Sequence, residues 1–171
     1  TSPPLQPDPG TIPLDIDTIN SVFADGGALA TSLPGFQPRP QQQEMAQAVT
    51  EAFNNAHHMM IEAGTGAGKS LAYLVPAALW AATNQRRVVI STDTITLQDQ
   101  LIQQDIPAVQ AALDTPLIAS VMKGRANYLC PRRLETVRRR RPSSIVELRT
   151  LAKILVWLLE SSSGDKGEIN L

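Results

Sequence analysis

Residues 59–76 read MMIEAGTGAGKSLAYLVP. A short apolar run gives way to three alternate glycines, Gly64, Gly66 and Gly68. Lys69 and Ser70 follow, and then apolar residues recur at helical spacing. Glycine reaches backbone angles forbidden to other residues, so successive N–H groups of such a loop can turn inward as an anion nest. A helix beginning near Lys69 aims its positive end at the same point. The segment AGTGAGKS (63–70) matches the Walker A pattern in a relaxed form, with Ala63 at the usual first-glycine position. That pattern predicts a nucleoside triphosphate cradled by the backbone of Gly64, Thr65, Gly66, Ala67 and Gly68. Lys69 would lie on the β- and γ-phosphates and the Ser70 hydroxyl on Mg²⁺. Glycines can also simply mark a turn before a helix that Lys69 opens. An apolar run before the loop and an amphipathic stretch after it favour the phosphate reading.

Working outward, the runs 57–63, 87–92 and 116–122 read as short buried strands, and 14–24, 41–56, 70–83 and 95–113 as helices. Asp17 or Thr18 can cap the first helix. Pro76 predicts a bend in the third, and Pro107 an interruption in the fourth. Met45, Ala48, Val49, Ala52 and Phe53 form the apolar face of 41–56. The segment 25–40 breaks regular structure with six glycines and prolines. Strands alternating with helices predict an α/β layer fold with a parallel sheet. No strand pattern follows Lys123. Two helices are expected there, the second with Ser143 or Ser144 as cap and Glu147 placed for a capping box.

The chain has 171 residues, 43% of them apolar, which suits one globular domain with a sizeable core. Cys130 is the single cysteine, which excludes an internal disulfide framework and suits a reducing, cytoplasmic setting. No apolar run approaches the roughly 20 residues of a membrane-spanning helix. The proline-rich residues 1–13 carry neither a basic n-region nor an apolar h-region, and the expectation there is extended or disordered chain. The sequence opens without Met and reads as a piece of something longer.

Charge is uneven although the net is −1. Residues 1–60 hold one base, Arg39, against six acids, whereas 123–153 hold ten bases against two. The run Arg138, Arg139, Arg140, Arg141 dominates the basic stretch, which fits either a solvated helix face or a footprint for phosphates.

Two short stretches flank the loop. In FQPRPQQQEM (36–45), the carboxamide of Gln42 can pair with the N6 and N7 edge of an adenine, with Phe36 or Arg39 packed on the ring. The same residues make an ordinary helix entry. In STDTITLQDQL (91–101), Thr92, Thr94 and Gln98 offer hydroxyls and an amide suited to the phosphates of a nucleic-acid single strand. Read alone, that cluster is a helix cap at Thr94.

Together, RPQQ, IEAGTGAGKSLAYLVPA, STDTITLQDQL and VMKGRANYLCPRRL, in that order, resemble the DinG/XPD-like superfamily-two DNA helicases, most closely the bacterial DinG-like members. The resemblance runs from about Ile16 to Leu171. It implies a P-loop NTPase (RecA-like) motor domain, partial here, followed by the start of a helical insert. The division expected is an N-terminal segment 1–13, an ATP-binding part 14–128 and a truncated insert 129–171. It implies Arg39 and Gln42 as the adenine-reading motif and residues 64–70 as the phosphate loop. Lys123 and Arg125 become candidates for contact with DNA or with a cluster, Tyr128 a stacking or packing residue, and Cys130 the first ligand of a [4Fe–4S] cluster in the parent protein. The partner implied is single-stranded or forked DNA, with no membrane.

Departures bound what this chain could do alone. No Asp-Glu-x-His occurs to complete a Mg²⁺ site and activate water, and the three further cysteines of a cluster are missing. The chain alone is therefore expected to hydrolyse ATP no faster than background. Two other functions compete. A P-loop phosphotransferase would use RRLETVRRRR (132–141) as an arginine lid, but leaves KGRANYLC without a role. A non-catalytic ATP- or DNA-binding module needs no acid pair.

Overall fold

The computed structural model describes residues 10–64 and 66–169 and divides at Val121 into two compact units. Thr65, one of the loop residues, lies outside the described residues, as do residues 1–9 and the last two.

Among the described residues the first unit holds six α-helices. α1 (Ile16–Phe23) is capped by Asp15 rather than by Asp17 or Thr18; the Asp15 carboxylate accepts from the backbone N–H groups of both, at 3.3 and 3.0 Å. α2 (Ala28–Ser32) is a short helix inside the stretch expected to be irregular. α3 (Pro40–Asn55) and α4 (Lys69–Asn84) form the central pair. α4 is buried at Ala72 and from Leu74 through Ala78, and it continues through Pro76. α5 (Ile95–Gln100) passes through a π-helical turn, Leu101–Asp105, into α6 (Ile106–Leu113). That widened turn ends two residues before Pro107, whose missing N–H cannot serve a regular ladder.

The core lies between helices. Ile19, Val22 and Phe23 of α1 meet Leu29, Ala46, Ala72, Leu74, Val75, Ala78, Leu101 and Val109. On α3 the fully buried positions are Gln42, Ala46 and Thr50, one stripe at a spacing of four. The apolar face read from Met45 to Phe53 is only half-buried; Phe53 stacks on Trp80 with ring centroids 5.3 Å apart. Thr50 can be buried because its hydroxyl donates to the Ala46 carbonyl at 2.8 Å. Residues 12–14 are held by two asparagines. Asn84 exchanges hydrogen bonds with the backbone of Ile12, and Asn54 with that of Leu14.

The α/β architecture with a parallel sheet, expected as a RecA-like fold, is not found. No strand or sheet occurs among the described residues, and the runs 57–63, 87–92 and 116–122 have no regular structure. Each run leaves a large apolar side chain in solvent: Met60 is 99% exposed, Val89 83% and Ile118 105%. A strand exists only where a neighbour completes its hydrogen-bond ladder, and a short apolar run does not specify that neighbour. Here the burial that drives folding is supplied by helix-on-helix contacts instead.

The second unit, from Met122, contains α7 (Pro131–Arg140), α8 (Ile145–Trp157) and 3₁₀ turns at Arg125–Asn127 and Lys166–Glu168. None of its described residues is fully buried, so polar bonds carry much of its order. Ser144 caps α8, its hydroxyl accepting from the Glu147 N–H at 3.1 Å. Glu147 answers not at Ser144 but one residue earlier, accepting from the N–H and hydroxyl of Ser143. Glu168 gathers the hydroxyls of Ser161 and Ser163 and the indole N–H of Trp157. Hydrogen bonds to the ionised form, that of Ser161 foremost, hold this carboxyl below its usual range.

Candidate functional site

The glycine loop connects the irregular segment 57–63 to α4. Gly66 and Gly68 have φ of +78° and +76°, so both require glycine's left-handed freedom, and Gly68 is the N-cap of α4. Around Gly64 and Gly66 a Cβ would meet nothing within 4 Å, which leaves room inside the loop. At Gly68 a Cβ would lie 2.1 Å from Gln42 Nε2.

The loop carbonyls face two ways. Lys69 Nζ folds back and donates to the carbonyls of Ala63 at 2.8 Å and Gly64 at 3.3 Å. The Ala67 N–H also turns toward Gly64 O, at 3.4 Å. On the other side, Arg39 Nη1 donates to the Gly66 carbonyl and Gln42 Nε2 to the Gly68 carbonyl, the latter at 2.8 Å. The structure therefore brings Arg39, Gln42, Gly64, Gly66, Gly68 and Lys69 together, but Gln42 meets the loop with the amide group expected to read a base. Ser70, one residue into α4, shares a hydrogen bond with the Tyr73 phenol. Burial raises the Tyr73 pKa against the pull of that bond. Tyr73 is a residue that the sequence reading missed; its spacing of three from Ser70 on one helix face was the available signal. Beside the loop lies a cleft of about 380 Å³ lined by Gln41, Glu44, Met45, Ile61, Ala63 and Ala67 among others.

The threonine and glutamine cluster forms the cap that a local reading allows. Thr94 is the N-cap of α5, its hydroxyl accepting from Leu97 N–H at 3.2 Å, and Thr92 donates to the Thr94 carbonyl. Gln98 lies on the first turn of α5 and is half-buried.

In the second unit Lys123 is turned inward. Its ammonium pairs with Asp165 at 2.7 Å, with side chains only 11% and 16% exposed, and its backbone N–H donates to the Tyr128 hydroxyl at 2.8 Å. Tyr128 also bridges Asp165 through the backbone. Lys123 and Tyr128 thus clasp the two ends of this unit, while Arg125 is exposed on its 3₁₀ turn. Asp165 was invisible to local pattern because it lies far along the chain from Lys123. Cys130 is exposed at the N-terminus of α7. The backbone N–H of Arg133 is the chief cause of its lowered thiol pKa, with Arg132 and both guanidinium charges adding to it.

Acid should open the Lys123–Asp165 clasp. The Lys123 hydrogen bond, then the Gly167 N–H, hold the Asp165 carboxyl below its usual range. A depressed carboxylate stabilises fully above its unfolded pKa, about 3.9, and that contribution is lost as pH falls through the lower folded value. The Gly167 amide proton, whose nitrogen is 2.9 Å from Asp165 Oδ1, is expected to report a midpoint below that of an ordinary aspartate. Lys123→Met should move the midpoint upward. An unmoved midpoint would remove Lys123 as the cause.

On α7, positions 132, 133, 136, 139 and 140 share one face by their spacing, with Leu134 and Val137 half-buried opposite. Arg138 and Arg139 pair with Glu135, at 3.3 and 2.8 Å, and Arg140 pairs with Glu147. All these arginines remain exposed.

Among the described residues no group of three His, Cys, Asp or Glu side chains could hold a metal, and no helix is long and apolar enough to cross a membrane.

The chain is similar in sequence to known proteins. The family described as "Type III restriction enzyme, res subunit" matches residues 35–128, from before Arg39 past Arg125. The chain is 40% identical over 144 residues, 84% of its length, to the 3'-5' exonuclease DinG of Bacillus subtilis, of which that covers 16%. It is 47% identical over 113 residues to the ATP-dependent DNA helicase YoaA of Escherichia coli, covering 66% of this chain and 17% of the relative. It is 47% identical over 107 residues to the ATP-dependent helicase DinG of Mycobacterium tuberculosis, covering 60% and 16%. The chain thus spans about a sixth of the length of these curated relatives. With the matched residues running across the glycine loop and both stretches that flank it, the chain belongs to the type III restriction enzyme res-subunit family.

Proposed function

We propose that this chain is the ATP-binding part of an ATP-dependent DNA helicase that couples hydrolysis to movement along single-stranded DNA and to duplex unwinding. The observation that carries the reading is the two-sided loop at the start of α4. Its inner carbonyls are covered by Lys69, and its outer ones are held by Arg39 and Gln42. The names of the relatives support ATP dependence and DNA as partner.

The residues fit MgATP. A Cβ on Gly64 or Gly66 would meet nothing within 4 Å, and the donors at hand are backbone amides, one ammonium and one hydroxyl, the set that binds phosphate oxygens. MgATP supplies the phosphoanhydride whose cleavage drives movement. Lys69 would exchange the Ala63 and Gly64 carbonyls for β- and γ-phosphate oxygens, a stronger, charge-assisted pairing. Ser70 would turn its hydroxyl from Tyr73 to Mg²⁺. Thr92, Thr94, Gln98 and Arg125 are the candidate contacts for single-stranded or forked DNA in a cytoplasmic setting, Lys123 acting through the shape of its unit. The residues do not fit a [4Fe–4S] cluster by themselves, since Cys130 offers one thiolate where such a cluster takes four.

The test is hydrolysis and strand separation by the longer protein that carries this segment. Single-stranded DNA should stimulate ATP turnover, and a forked duplex should open only with ATP. The 171-residue chain alone should bind ATP with turnover no faster than background. DNA-independent phosphate transfer to a small acceptor would instead favour a phosphotransferase.

A further inference from the structure

Residues 12–14 cross the ends of α3 and α4 as a short strap gripped by two side chains. The Ile12 N–H donates to Asn84 Oδ1 at 2.6 Å, and the Ile12 carbonyl accepts from Asn84 Nδ2 at 3.1 Å. Two residues on, the Leu14 N–H donates to Asn54 Oδ1 and its carbonyl accepts from Asn54 Nδ2, both at 2.8 Å. Each carboxamide thus pairs with the backbone of one residue as a neighbouring strand would, and alternate residues of an extended chain face the same side. Pro13 stands between them, where no donor is needed, and it biases Ile12 to extended angles. At position 12 only the backbone is gripped, since that residue is 58% exposed, whereas Leu14 packs on the core.

The strap and the glycine loop lie at opposite ends of one helix pair. α3 and α4 run in the same direction, since the Gln42 bond to Gly68 joins their starts and the Phe53–Trp80 stack their last turns. Asn84 is the last residue of α4 and Lys69 the first, and 16 residues of helix put them about 24 Å apart. Asn54 is the next-to-last residue of α3. The connecting run 57–63 has no regular structure, so it adds no ladder to the pairing. Side-chain packing holds the pair along its length, and the strap bridges its far end.

We propose that residues 12–14 are a latch coupled to the phosphate loop through α3 and α4: MgATP at the start of α4 tightens the latch, and opening the latch weakens MgATP. This coupling rests on the ATP-binding reading above and extends it to the far end of the same helices. With the latch open, the last turns of α3 and α4 lose the segment that joins them. Amides at the start of α4 stay aimed at phosphates only while that helix is held in place, so a triphosphate binds the latched pair better. A ligand that prefers one of two states shifts them by the ratio of its affinities, and the effect is reciprocal.

Amide exchange at Ile12 and Leu14 and titration with MgATP, both on the full chain, read the two ends. Saturating MgATP is expected to slow exchange at these two amides by about threefold to tenfold. Asn54→Ala combined with Asn84→Ala, which removes all four bonds, should weaken MgATP by the same factor, and melting without ligand checks that the variant is folded. Pro13→Gly leaves both asparagines in place, so it serves even if the double variant does not fold. It should speed exchange at both amides, and MgATP should slow it again. Exchange at Ile12 and Leu14 that ignores MgATP would overturn the coupling, as would unchanged MgATP affinity in a folded variant whose strap exchanges freely. Failure of the unaltered chain to bind MgATP would overturn the ATP-binding reading, and the coupling with it.

Discussion

Alanine at position 69 is expected to weaken MgATP binding by about a hundredfold or more. The ammonium is the cation that the loop itself supplies at the start of α4, and charge-assisted bonds to two phosphate oxygens are worth about 1.5–3 kcal/mol each. The fold should be nearly indifferent to the change. Lys69 is exposed, and the Ala63 and Gly64 carbonyls that it leaves are on an accessible rim where water can replace it. Paired titration and melting curves would check both halves. A variant that melts normally and still binds MgATP would mean that the loop is only a turn before α4.

Glutamine at Arg132, Arg133, Arg139 and Arg140 is expected to weaken DNA binding and flatten its salt dependence. On single strands each lost phosphate contact lowers the slope of log affinity against log salt by about 0.7. Four contacts on one face of α7 would thus remove roughly 3 from the slope, a larger change than any single loop variant gives. The ion pairs to Glu135 and Glu147 do not argue against this. Exposed pairs contribute little and can be exchanged for phosphates. Anisotropy titrations of a labelled single strand between about 50 and 200 mM salt would measure the slope. An unchanged slope would make this face a solvated one.

What was legible in the sequence follows from how local its causes are. Helices α1, α3, α4, α7 and α8 were readable because caps, spacing and helix-forming residues act within a few positions. Even there the cap fell on Asp15, ahead of the expected Asp17 or Thr18, whose backbone N–H groups it accepts from. The glycine loop was readable because positive φ at Gly66 and Gly68 narrows the residue choice almost to one.

The parallel sheet failed for the opposite reason. Runs such as 87–92 carry β-branched residues, but pairing depends on distant segments, and here Val89 stands exposed with no ladder beside it. The surroundings of Gln42 were not legible either, because packing of α3 on α4, which no local pattern specifies, buries it against Gly68. Lys123 looked like an available cation until Asp165, remote in sequence, was found against it.

The central claim is that the loop at the start of α4 binds a triphosphate through Lys69. Calorimetric titration of the full chain with MgATP tests it most directly, with Lys69→Ala as the paired sample. Saturable binding at one site per chain, lost in the variant, is the predicted result. No binding by the unaltered chain, or equal binding by both, would contradict it.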